Sequence, residues 1–164
     1  MGMTACFAPV NAETLLELKN HPDQIEDYLY PNDGAYEPPG YMDIDKAWHG
    51  IHFMLSQIGQ QQMAFALAVL GGEEVGDDVG YGPARFLTAQ QVKAVATSLS
   101  ELDETHFCEQ FLPEAMEAAE IYPTGIWVRD GYEALEYLLE NYRQMVFFYQ
   151  QTAENGDGAV LWLC

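Results

Sequence analysis

The stretch DIDKAWHGIHFMLSQI, residues 43–58, decides how the rest of the chain is read. On a helix, at about 100° per residue, Ile44, Ala47, Trp48, Ile51, Met54, Leu55 and Ile58 fall on one stripe. That is the i, i+3, i+4, i+7 spacing of a helix with a buried face, so a central helix is predicted over 43–58. Asp43 stands where a carboxylate caps free N–H groups and suits the helix dipole. Gly50, in mid-helix, costs about 1 kcal/mol relative to alanine, which points to another element packing close there. The flank beside the stripe carries Asp45, His49, His52 and Ser56. Asp45 and His49 are four apart and His49 and His52 three apart, so they are neighbours on the helix surface.

A carboxylate and two histidines in that order could hold a metal or share a proton. Structural zinc sites take four protein ligands and catalytic sites three with outer partners. HxxH supplies two, and no metal is expected. His52 is expected to be half-buried and to donate to a carboxylate or carbonyl, with His49 solvated. Trp48, His52 and Asp45 can also form the wall of a pocket or of a partner surface.

The chain has 164 residues, enough for one domain with a sizeable core. Its charge is the unusual feature: six Lys and Arg face 26 Asp and Glu, a formal net charge of −20. Between Lys93 and Arg129 there are seven acids and no Lys or Arg. Such a field repels nucleic acid and anionic membrane and attracts basic partners, although solubility alone would also select it. Cys6, Cys108 and Cys164 are odd in number and widely spaced, which argues for free thiols in a reducing cytoplasm. No signal peptide is evident, Cys6 interrupts a myristoylation-like start, and no apolar run is long enough to span a membrane.

Outward from the central segment, residues 2–10 read as a strand, with Met3, Ala5 and Phe7 on one face. Asn11 caps a short helix through Leu15, Leu16 and Leu18, and residues 23–29 give another. Residues 30–41, rich in Pro and Gly, form a loop that delivers the chain to the central helix. Residues 60–62 are glutamines leading into a helix over 63–70, which Gly71-Gly72 closes. Residues 73–80 read as a mobile acidic loop whose carboxylates lack the spacing of a calcium loop. A strand follows over 81–87. Thr88 and Gln91 make a capping box that opens a helix with Val92, Val95, Ala96, Leu99 and Leu102. Arg85, the one Lys or Arg between Lys46 and Lys93, calls for a carboxylate partner, internal or on a ligand, with internal pairing favoured. Two short acidic helices are predicted over 103–111 and 113–120. Asp130 is expected to cap the longest helix, 131–154, where Leu135, Leu138, Tyr142, Met145 and Tyr149 form one face, reinforced by Leu139 and Val146. Tyr137 and Phe148 lie opposite, so the helix is either buried on two faces or meets a partner along part of its length, with burial favoured. A final strand is predicted over 159–163. No repeat or linker divides the chain, and the class is a single α+β domain.

Several segments, in order, resemble the bacterial YfbM-like family, a domain of unknown function. They are GMTACFAPV, DIDKAWHGIHFML, GYGPARFLTAQQVKAVATSLSELD (80–103), EIYP (120–123), and EALEYLLENYRQMVFFY (133–149) followed by AVLWL (159–163). The resemblance covers nearly the whole chain and implies a compact α+β domain, largely helical around a small sheet, in the bacterial cytoplasm. Asp43, Asp45, Lys46, Trp48 and His52 match the family's motif, whereas His49 is a variable position. The resemblance implies no activity and carries over no catalytic residue or cofactor. No nucleophile elbow, phosphate-binding glycine loop, HExxH or dinucleotide fingerprint occurs.

The charge and the missing catalytic signatures favour a protein-binding or neutralising module, immunity-like, that covers a basic partner such as a toxin. The alternative is a small-molecule site or enzyme built from Asp45, Trp48 and His52 with Tyr81 and Arg85 from the strand opposite.

Overall fold

The computed structural model describes residues 2–31, 37–59 and 62–164. Strand β1 (Ala5–Val10) is buried along nearly its whole length, on both faces. Ala5 and Phe7 point into one apolar cluster, and Cys6, Ala8 and Val10 into another. Strand β5 (Gly158–Leu163) divides its side chains in the same way, Ala159 and Leu161 to one cluster and Val160 and Trp162 to the other. A sheet with two apolar faces must be covered on both, and the helices do so.

Among the described residues the sheet is antiparallel, with the order β2-β1-β5-β4-β3, where β2 is Met42–Asp43, β3 Glu73–Asp78 and β4 Pro83–Leu87. The larger cluster lies under α3 (Trp48–Ser56), α4 (Gln62–Leu70), α5 (Ala89–Glu101) and the long α9 (Tyr132–Glu154). The smaller one is covered by α1 (Ala12–Asn20) and α2 (Ile25–Leu29). Short helices α6 (Glu104–Cys108), α7 (Pro113–Ala118) and α8 (Trp127–Asp130) complete the chain. The class is α+β, as expected.

The predicted stripe is buried in full: Ile44, Ala47, Trp48, Ile51, Met54, Leu55 and Ile58 all lie in the core. The helix itself is shorter than predicted. Asp43 ends a strand, Asp45–Ala47 form a 3-10 turn, and α3 begins at Trp48. The Asp43 carboxylate accepts from the Asp45 N–H at 3.0 Å, and Asp45 takes a φ of 44°. Aspartate tolerates that left-handed conformation better than most residues, because its short polar side chain bonds locally. Gly50 does admit neighbours: a Cβ there would sit 2.7 Å from Leu138 Cδ2 and 2.9 Å from Trp127 Cη2.

Asn11 caps α1, and Thr88 and Gln91 form the expected capping box on α5. Two expectations need correction. The acidic segment after Gly72 is not a loop but the edge strand β3, whose side chains are exposed except Val75. Charges on an edge strand keep other chains from pairing there, and they also hide the apolar alternation that would betray a strand. Asp130 does not cap α9. It pairs with Arg129, and the chain enters α9 through Gly131 at a φ of 50°. The loop expected over 30–41 and the glutamine run at 60–62 fall partly outside the described residues. Phe148, on the second face of α9, is buried edge-on against Phe7, with ring centroids 5.6 Å apart.

Candidate functional site

The start of α3 is held by a polar cluster rather than left open. The Trp48 indole N–H donates to the Met3 carbonyl at 3.0 Å, and its ring stacks on His49 at 4.9 Å and on Tyr122 at 5.8 Å. The Tyr137 hydroxyl donates to the Asp45 carboxylate at 2.8 Å and accepts from the Lys46 N–H at 3.1 Å. Burial, followed by the bond to the Asp45 carboxylate, pushes the Tyr137 hydroxyl pKa up. The segment therefore ties the sheet edge to the long helix α9.

His49 is not a solvated face residue. It is half-buried, and its Nδ1 accepts from the Tyr122 N–H at 3.0 Å. A ring nitrogen that accepts a backbone proton is unprotonated, so the other nitrogen carries the hydrogen. Burial lowers the His49 pKa, and burial followed by the neighbouring His49 lowers that of His52. His52 lies on the shoulder of the stripe, half-buried, with its Nδ1 buried and without a hydrogen-bond partner.

Tyr81 and Arg85 share a recess of about 50 Å3 with Val69, Leu70 and Leu163. Asp45, Trp48 and His52 are not among its walls. A volume of that size suits a water molecule or two, whereas small-molecule sites run to about 300–1,000 Å3. Arg85 is paired internally, with Glu74 directly opposite on β3 at 2.5 Å.

A larger concavity lies elsewhere, between α9 and the β2 edge of the sheet, with a volume of about 600 Å3. Tyr41, Met42 and Pro9 form one wall, and Phe147, Phe148 and Gln151 the other. Phe147 is 63% exposed, although it belongs to the long helix and its neighbour Phe148 is buried. Arg143 also lines it and is held by a two-pronged pair with Glu104. Sequence reasoning missed this groove. Its signal was an aromatic residue at 147 that belongs to neither buried face of α9.

Among the described residues no helix is long and apolar enough to cross a membrane. No curated protein matches the chain. Its structure is similar to the crystal structure of a protein of unknown function, YfbM from Escherichia coli, with a TM-score of 0.75 over 98% of this chain and 99% of that one. The two sequences are 23% identical, so this likeness speaks for the fold alone. Over residues 1–162 the sequence matches the family described as Domain of unknown function (DUF1877), and the chain belongs to that family.

Proposed function

We propose that the protein is a cytoplasmic binding module that receives a basic protein partner at the groove between α9 and the β2 edge. The exposed Phe147 carries the reading: a large aromatic ring left beside an apolar concavity is an anchor waiting for a partner's side chain. The net charge of −20 supports the partner's sign, because opposite charge speeds encounter and opposes anionic competitors. A toxin with a basic working surface is one partner of this chemistry, and covering that surface would neutralise it.

The test compares wild-type protein with Phe147→Glu as baits in extract of the native cell at low salt. Phe147 is exposed, so the variant should fold. The expected result is a basic protein retained by wild type, lost from Phe147→Glu and released as salt rises. Rebinding of the purified partner should weaken at least about 30-fold in the variant, the usual scale of an interface anchor. Identical captures by both baits, or a captured partner that is acidic, would sink the proposal.

A further inference from the structure

Cys6 and Cys164 are far apart in the chain but adjacent across the β1–β5 ladder. Thr4 and Cys164 exchange both backbone hydrogen bonds, at 2.8 and 3.0 Å, and Cys6 is opposite Trp162. The two cysteines are therefore diagonal neighbours on one face of the sheet. Their sulfurs are 2.9 Å apart. A covalent disulfide needs about 2.05 Å, so closing the bond asks for a shift of less than about 1 Å.

Their surroundings differ in a way that assigns roles. Cys6 is 1% exposed, its Sγ lies 3.8 Å from the Thr4 carbonyl, and the Tyr41 hydroxyl is 3.5 Å away. Cys164 is half-buried at the rim of the sheet, where a reagent can reach it. The hydrogen bond between the thiols lowers the Cys164 pKa to about 7 and, together with burial, raises that of Cys6. Cys108, on α6, lies outside this contact and serves as an internal control.

We propose that Cys164 and Cys6 are a dithiol–disulfide couple that exchanges with low-molecular-weight disulfides such as oxidised glutathione, Cys164 attacking and Cys6 resolving. The Cys164 thiolate attacks one sulfur of the glutathione disulfide, forming a mixed disulfide and expelling a glutathione thiolate, which takes up the proton that Cys164 had released to solvent. The Cys6 sulfur then attacks Cys164, its proton passes to the departing glutathione, and the protein disulfide closes. Two protein thiols are oxidised by two electrons, and one glutathione disulfide is reduced to two glutathione thiols. The couple meets the partner groove at Tyr41 but is read by thiol chemistry rather than by partner binding, so either proposal can fail alone.

The test exposes fully reduced protein to oxidised glutathione, traps the remaining thiols by alkylation, and reads intact mass and a peptide map. Expected is the loss of two hydrogens, a linked pair of peptides containing Cys6 and Cys164, an alkylated Cys108, and full reversal by dithiothreitol. Cys6→Ser should stop at a glutathione adduct on Cys164, and Cys164→Ser should leave Cys6 unmodified. Three alkylated cysteines in treated wild type, or a glutathione adduct that persists there, overturns the proposal. The wild-type map decides even where a serine variant does not fold.

Discussion

Replacing Gly50 with alanine sets two opposing effects against each other at one atom. In an exposed helix the change is favourable by about 1 kcal/mol, because alanine loses less backbone freedom on folding. At this site the new methyl would lie 2.7 Å from Leu138 Cδ2, 2.9 Å from Trp127 Cη2 and 3.3 Å from Met116 Cε. Leu138, Trp127 and Met116 are all fully buried, so none can swing into solvent to make room. Overpacking of a dense core costs about 1–3 kcal/mol. Packing should therefore win, with a net loss of about 1 kcal/mol, or about 2–4 °C in Tm for a domain of this size. Urea unfolding with an unchanged m-value measures the loss directly. A sharper form pairs Gly50→Ala with Leu138→Ala, which alone should cost about 2–5 kcal/mol. Because the methyl would occupy space that the leucine vacates, the double variant should be more stable than the sum predicts, by at least about 0.5 kcal/mol. A higher midpoint for Gly50→Ala, or strictly additive costs, would refute the close-approach argument.

Trp48→Ala should cost about 3–5 kcal/mol in the same urea assay, since it removes a buried indole, its bond to Met3 and the stack with His49 and Tyr122. A loss under about 1 kcal/mol would show that α3 is not a principal support of the core. The lowered pKa values of His49 and His52 give the second expectation: below the unfolded value of about 6.5 the unfolded chain takes up protons that the folded one refuses, so their contribution is full above that pH and is lost as pH falls. Thermal melts from pH 7 to 5.5 should show Tm falling in wild type and falling less in His49→Asn, and equal slopes would remove His49 from the account.

The core was legible because it depends on spacing. The stripe from Ile44 to Ile58 is a period that any helical or near-helical path satisfies, and all seven positions are buried. The same tolerance explains the misplaced helix start. A 3-10 turn keeps Ile44 and Ala47 inward, and the φ of 44° at Asp45 leaves no trace in an apolar pattern. Strand β3 escaped because an edge strand with exposed charges looks like a solvated loop, and only its partner Arg85, opposite Glu74, reveals the pairing. The Cys6–Cys164 contact joins positions that only a known strand register brings together. Phe147 was hidden differently: the period of α9 tells which residues face inward, not whether an outward aromatic borders a groove.

The separation of charge from shape gives the proposed partner surface its logic. The polar residues that line the groove along α9 and at its C-cap are Gln144, Gln151, Thr152 and Asn155, together with Arg143, whose charge Glu104 already offsets. The acids are spread along the chain, 13 before residue 81 and 13 after it, rather than gathered at the groove. A spread field steers a basic partner from a distance, and at physiological salt it is screened beyond about 8 Å. Close contact is left to apolar surface, to which the exposed Phe147 belongs. On this reading the two contributions act on different rates: added salt should slow association, whereas Phe147→Glu should mainly hasten dissociation. A partner whose dissociation rate responds to salt as strongly as its association rate would instead be held by direct ion pairs, and the acidic edge strand β3 rather than the groove would then be its seat.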